Sequence, residues 1–148
     1  MGTSIEKFAD EMLVLMPRLM REFLKRQPRF VTTGAISVPQ MAILHTLVER
    51  KECKMADIAK FLFVTTPAAT GIVDRMVKSG LLMRVPDIED RRVIHIKATA
   101  KGRKIINVIL RERRKLMLEI FKSFTSRERE IYLNMVKKIY SFLSKRTK

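Results

Sequence analysis

Two short stretches carry most of the side chains that could do chemistry in this 148-residue chain. In the first, Thr65, Thr66, Ala68, Ala69 and Thr70 bring hydroxyls and methyl groups into little more than one helical turn, and Arg75 and Lys78 follow. Hydroxyls bond phosphate oxygens or base edges, and alanine and threonine methyls suit the C5-methyl of thymine. No Arg, Asn or Gln stands in that turn for two-point base contact. Arg75 and Lys78 come later and suit phosphates rather than bases. The competing reading of Thr65 and Thr66 is that they only cap a helix. The second stretch is Asp90, Arg91 and Arg92. On an extended ribbon of period two, Asp90 and Arg92 share a face, so the carboxylate can hold the guanidinium in a fork. An arginine presented this way can enter a narrow minor groove, where the negative potential is enhanced. As a mere surface pair, the two would be worth only about 0 to 1 kcal/mol.

Enzymatic chemistry lacks material. His45 and His95 are the only histidines, and neither has a Cys, Asp or Glu at metal-ligand spacing. No glycine-rich phosphate loop and no nucleophile elbow occurs. The expectation is a non-enzyme with no metal and no cofactor. Cys53 cannot form an internal disulfide, fits a reducing compartment, and reads as a bystander beside Lys51 and Lys54.

The elements that must position these groups are legible in the spacing. In the run from Met55 to Leu62, Met55, Ile58, Ala59 and Leu62 make one helix face, which Phe63 and Val64 interrupt. A second helix then starts at Thr65 and Thr66, with Pro67 in its first turn. Its stripe is Ile72, Val73, Met76 and Val77, and Gly80 ends it. From there the period changes. Leu81 to Val85 is β-rich, residues 86–91 are polar turn formers, and Ile94 and Ile96 alternate with His95 and Lys97, which predicts a hairpin. Helix, turn, helix and a hairpin with arginines near its tip is the order of a winged helix-turn-helix, whose second helix enters the DNA major groove.

Upstream, Thr3 and Glu6 have capping-box spacing and open a long amphipathic helix with Ile5, Phe8, Met12, Leu15, Met16, Leu19 and Phe23 on one face. Pro17 predicts a kink or break in it. Residues 27–34 read as a loop. Ser37 and Gln40 open a helix expected to bury Met41, Leu44, Leu47 and Val48, and residues 50–54 end it. Downstream, Thr99 caps a long helix with Ile105, Ile106, Ile109, Met117, Ile120 and Phe121 at helical spacing. Thr125 and Glu128 cap a last one, striped by Tyr132, Met135, Val136, Ile139, Phe142 and Leu143. A winged unit of about 60 residues cannot cover three such helices, so pairing with a second copy is expected. The expected fold is mainly α with a small β-hairpin wing, in a single domain over 1–148. Its DNA-binding part is about 37–98, and its dimerisation helices are 1–30 and 99–148.

Apolar residues are 47% of the chain, enough for a sizeable core, and the formal net charge is +16. Residues 1–53 carry 8 basic and 6 acidic groups, 54–104 carry 11 and 5, and 105–148 carry 12 and 4. The excess over the reader and C-terminal parts favours a polyanion. No apolar run approaches the roughly 18 residues needed to cross a bilayer. The N-terminus has no signal-peptide pattern, and Glu6 stands where myristoylation needs Ser or Thr. A cytoplasmic protein without a membrane partner is expected.

The run from Gly80 to Lys104 resembles the corresponding segment of the MarR (multiple antibiotic resistance regulator) family. That segment reads Gly-Leu, an arginine, Asp-x-Arg, then Leu-Thr-x-x-Gly, here Gly80, Leu81, Arg84, Asp90, Arg92, Thr99 and Gly102. The likeness extends over about 37–104, and Ala98 departs from it where the family has leucine. The resemblance implies a homodimeric repressor of a short palindromic operator in double-stranded DNA, released by a small phenolic or other lipophilic anion. Some members sense organic hydroperoxides through a cysteine in the first helix, which this chain lacks. In the family, the helices that hold Met12, Met16, Met20 and Met41 help wall a ligand cavity. Met16 and Met41 thus become candidate lining residues, and Arg18, Arg21 and His45 candidate partners for an anion. Methionine as flexible core filler is the alternative. For the whole chain, the alternative is a non-specific architectural or RNA-binding winged helix.

Overall fold

The computed structural model describes residues 2–26 and 35–145; the loop expected at 27–34 lies outside them. Six helices and three strands occur among the described residues. In chain order they are α1 (Ile5–Lys25), α2 (Val38–Arg50), β1 (Glu52–Lys54), α3 (Met55–Leu62), α4 (Thr66–Lys78), β2 (Leu82–Pro86), β3 (Ile94–Ala98), α5 (Ala100–Phe121) and α6 (Ser126–Lys145). They divide into two compact units, Met1–Glu112 and Arg113–Lys148.

In the first unit, α2 starts at the expected capping box: Ser37 Oγ accepts the Gln40 amide at 3.4 Å, and Gln40 Oε1 accepts the Ser37 amide at 2.9 Å. Met41, Leu44 and Leu47 are buried as expected, but Val48 is 39% exposed. Ile43, at 0% exposure, fills the place given to it, because a 3.6-residue period sets 43, 44 and 47 on the inner face and leaves 48 on the flank. Lys51 then turns the chain with φ +67°, and Glu52–Lys54 pair with β3. This strand went unread because three residues are too few to show alternation, and two of them, Glu and Lys, are poor strand formers. The sheet order is β1-β3-β2, antiparallel throughout. Its inner face sets Cys53, Leu82, Ile96 and Ala98 against Ile43, Leu44, Ile58, Val73, Met76, Ile106 and Ile109, all of them buried.

The helix α1 is capped one residue later than expected: Ser4 Oγ, not Thr3, accepts the Lys7 amide at 3.3 Å. It runs through Pro17 without the predicted break. Proline removes one helical donor and orphans the carbonyl four residues back. Since α1 buries no residue, water can satisfy that carbonyl.

In the second unit, Thr125 and Glu128 form the expected capping box. Glu128 Oε2 accepts the Thr125 amide at 2.7 Å, and Thr125 Oγ1 accepts the Glu128 amide at 3.2 Å. The Phe121 ring packs on Phe124 and Tyr132, with centroids 5.2 and 5.0 Å apart. Arg129 donates to the carbonyl oxygens of Phe121 and Phe124, closing the corner. The stripe of α6 is exposed along its length, and no residue of that helix is buried. Among the described residues, no single helix is long and apolar enough to cross a membrane.

Candidate nucleic-acid interface

The two helices of the reader, α3 and α4, meet at 108°, within the range of helix-turn-helix units. Phe63 makes the turn in the left-handed region, φ 55°. Of the two candidate threonine caps, Thr65 is the one used: its Oγ1 accepts the Ala68 amide at 3.4 Å, and Thr66 becomes the first helical residue. Thr65, Thr66, Pro67 and Ala68 are exposed, so the first turn of α4 is an open surface of hydroxyls and methyls. Thr70 is half-buried and donates its hydroxyl back to the Thr66 carbonyl at 2.9 Å.

Ala69 does not belong to that surface. It is 0% exposed and lies on the inward stripe Ala69, Val73 and Met76, so its methyl packs in the core. Four and seven residues along a helix return to one face, and this decides against it as a base contact.

The far end of α4 closes in a Schellman arrangement. Gly80, with φ +76°, donates to the Val77 carbonyl at 2.9 Å, and Leu81 donates to Met76 at 2.8 Å. Thr99 ties this corner to α5. Its amide donates to the Leu81 carbonyl at 3.0 Å, its hydroxyl donates to Gly80 O at 2.6 Å, and Oγ1 accepts the Gly102 amide at 3.0 Å. A methyl on Gly102 would lie 2.2 Å from Leu81 O, so only glycine permits this approach. A second link was not foreseen: Arg84 of β2 donates to Asp74 of α4 at 2.6 Å, fastening the recognition helix to the root of the wing. Both residues were visible in the sequence, but their ten-residue separation matches no local period.

The wing tip departs from the expected ribbon. Residues 87–93 lie outside the strands, so period two does not apply there. Asp90 Oδ1 accepts the backbone amide of Arg92 at 3.0 Å, and no ion pair joins it to the Arg92 guanidinium among the described residues. Asp87 is the centre of the turn. Its Oδ1 accepts the amides of Glu89 and Asp90 at 2.8 and 3.1 Å, and its Oδ2 lies 2.8 Å from His95 Nε2. The Asp90 amide first, then those of Glu89 and the His95 ring, hold the Asp87 carboxyl down at about 2. Arg75, Lys78, Arg91 and Arg92 are exposed and have no carboxylate partner among the described residues, whereas Arg84 and Lys97 are paired. Unpaired cations flank both reading elements.

The remaining candidates are dispersed. Met41 is buried in the reader core, His45 is exposed on α2 with Glu49 3.9 Å away, and Arg18 and Arg21 are exposed on α1. Met16 lies on an apolar strip of α1 with Ala9, Met12, Leu13, Pro17 and Met20. Cys53 is buried, and burial pushes its thiol up, away from the reactive thiolate.

Comparison with known proteins agrees with this geometry. The MarR family model matches residues 36–94, the span from the start of α2 to the far side of the wing. The uncharacterized HTH-type transcriptional regulator YsmB of Bacillus subtilis is 28% identical over 135 residues, covering 91% of this chain and 88% of that one. A MarR family protein from Bacillus stearothermophilus superposes with a TM-score of 0.83 at 22% identity, over 96% of this chain and 99% of the other. Streptococcus pneumoniae FabT, solved in complex with DNA, does so with 0.78 at 20% identity over 96% and 99%. A family-specific match on the reading head, a regulator that runs beside the chain nearly end to end and the same winged fold point the same way: residues 36–94 match the MarR family model, and the chain is similar over nearly its whole length to winged helix-turn-helix transcriptional regulators.

Proposed function

We propose that this protein is a cytoplasmic homodimeric repressor that reads a palindromic operator. In this reading the first turn of α4 lies in the major groove and the wing arginines lie in the flanking minor groove. The observation that carries it is the pairing pattern of the cations: those beside the reading elements, Arg75, Lys78, Arg91 and Arg92, are free for DNA. Thr65, Thr66, Ala68 and Thr70 offer hydroxyls and methyls for bases and nearby phosphates. Asp90 shapes the turn under Arg92 through its amide rather than gripping its side chain. The parts 1–30 and 99–148 serve the dimer, and 37–98 serves DNA. The exposed apolar stripes of α1 and α6 support that division.

An effector that relieves repression would be a lipophilic anion. The apolar strip around Met16, with Arg18 and Arg21 on the same helix and His45 on α2, supports that class. Met41, packed in the core, serves structure instead. Such a ligand must bind the DNA-incompetent arrangement more tightly, and a coupling of about 1 to 3 kcal/mol would weaken operator binding about 5- to 150-fold.

Selection of bound duplexes from a random pool tests the reading. A palindrome with half-site centres about 10 base pairs apart, preferred by roughly 10³ over random duplex, is expected. Arg92→Ala should cost at least about tenfold in affinity for that duplex with little change in thermal stability. Uniform recovery of the pool would make the protein an architectural or RNA-binding winged helix.

A further inference from the structure

We infer that His95 is the positioning residue of the wing: an imidazole that need not touch DNA holds the turn from which Arg91 and Arg92 are presented. The inference rests on the reading that Arg92 contacts DNA. Beyond the Pro86 and Ile94 pair the hairpin ladder stops, and the tip depends on local bonds. Asp87 donates its amide to Val93 O, Val93 donates to Asp90 O, and the Asp87 carboxylate gathers the amides of Glu89 and Asp90 through one oxygen. The other oxygen is held from outside the turn, by His95 Nε2 at 2.8 Å.

The opposite edge of the ring also faces a carboxylate. His95 Nδ1 lies 3.4 Å from Glu52 Oε1, and Glu52 Oε2 accepts Lys97 Nζ at 2.8 Å. Glu52 and Lys97 are direct register partners on β1 and β3, so Glu52 reaches His95 along the diagonal of the same face. The His95 side chain is only 15% exposed, against 34% for Asp87 and 41% for Glu52. A continuous polar path therefore runs from β1 through His95 to Asp87 and on to the amides that shape the arginine-bearing turn. A flat ring with nitrogens on two edges, both of them donors when the ring is protonated, can engage carboxylates from two separate segments at once. A side chain with one polar end cannot bridge them in the same way. Fixing the turn beforehand spares the ordering that Arg91 and Arg92 would otherwise undergo on DNA.

The test uses the full chain and the tightest duplex recovered by wild-type protein from the random pool. His95→Leu keeps a strand-compatible side chain and removes both contacts, whereas His95→Gln can keep the one to Asp87. We expect His95→Leu to lose about tenfold in affinity, the scale of one positioned contact, and His95→Gln to regain part of it. In the double variant with Arg92→Ala, His95→Leu should add less than it costs alone, because residues that act through a shared contact are not additive. Amide exchange should accelerate at Glu89 and Asp90 and stay unchanged in α4, which separates a loosened wing from a damaged fold. Wild-type affinity in His95→Leu, losses that multiply in the double variant, or no advantage of Gln over Leu would overturn the inference while leaving Arg92 in place. Wild-type affinity in Arg92→Ala would remove the underlying reading of the wing, and this inference with it.

Discussion

At the level of single residues, Asp87 determines how the wing responds to acid. Its carboxyl is held at about 2, below an ordinary value of 3.8, by the Asp90 and Glu89 amides and the His95 ring. A depressed carboxyl contributes stability above the unfolded value and loses it as pH falls through the folded one. The contribution is therefore complete above about pH 4 and fades between about pH 4 and 2. In Asp87→Asn the neutral amide still accepts through its oxygen, but it has no charge to lose. Comparing thermal midpoints of the two proteins from pH 6 to 2 should show a gap that closes in that window. A gap of constant size would mean that the carboxylate charge does not support the turn. Glu22, held at about 2 by Lys25 and Arg26, titrates equally in both proteins and cancels from the comparison.

At the level of elements, the joint between α4, β2 and α5 depends on a contact only glycine allows. The Thr99 hydroxyl and amide donate to the Gly80–Leu81 corner, the Gly102 amide donates to Thr99 Oγ1, and an added Cβ at Gly102 would meet backbone atoms, which cannot swing aside. Gly102→Ala should therefore lose about 1 to 3 kcal/mol, the cost of overpacking, measured by urea midpoint. Gly71→Ala is the internal control. Its Cβ would meet only Arg75 Nη1, at 3.9 Å, so replacing a helical glycine should be neutral or stabilising by up to about 1 kcal/mol. Equal effects at the two sites would show that helix propensity, not the close approach at Leu81, governs this joint.

At the level of the whole molecule, charge and exposed apolar surface lead to two measurements. A net +16 excess weighted toward the reader and C-terminal parts should make DNA binding steeply salt-dependent. If about six phosphates are neutralised, log affinity should fall against log salt with a slope near −5. A slope near zero would contradict the electrostatic part of the reading. The stripes of α1 and α6, among them Phe8, Leu15, Ile139 and Tyr140, are each exposed in a single chain, apolar faces of the kind a second copy would cover. Sedimentation of a chain cut before Thr125 should show monomer or aggregate. A stable dimer that still binds DNA after that cut would place the interface elsewhere.

What the sequence determined by itself was local. Caps at Ser37, Thr65, Thr99 and Thr125, the glycine stop at Gly80 and the alternation in β3 all act between residues a few positions apart, and all stand in the fold. The family likeness was legible for the same reason, since its motif is a series of such short-range requirements around the wing. Tertiary structure alone decided which side of a turn faces inward and which distant groups meet. It turned Ala69 to the core, joined Asp74 to Arg84 and recruited Glu52–Lys54 as a third strand. It set His95 between carboxylates 8 and 43 positions away in the chain. Pairings across such separations depend on strand register and helix packing, and neither leaves a periodic trace in the residues themselves.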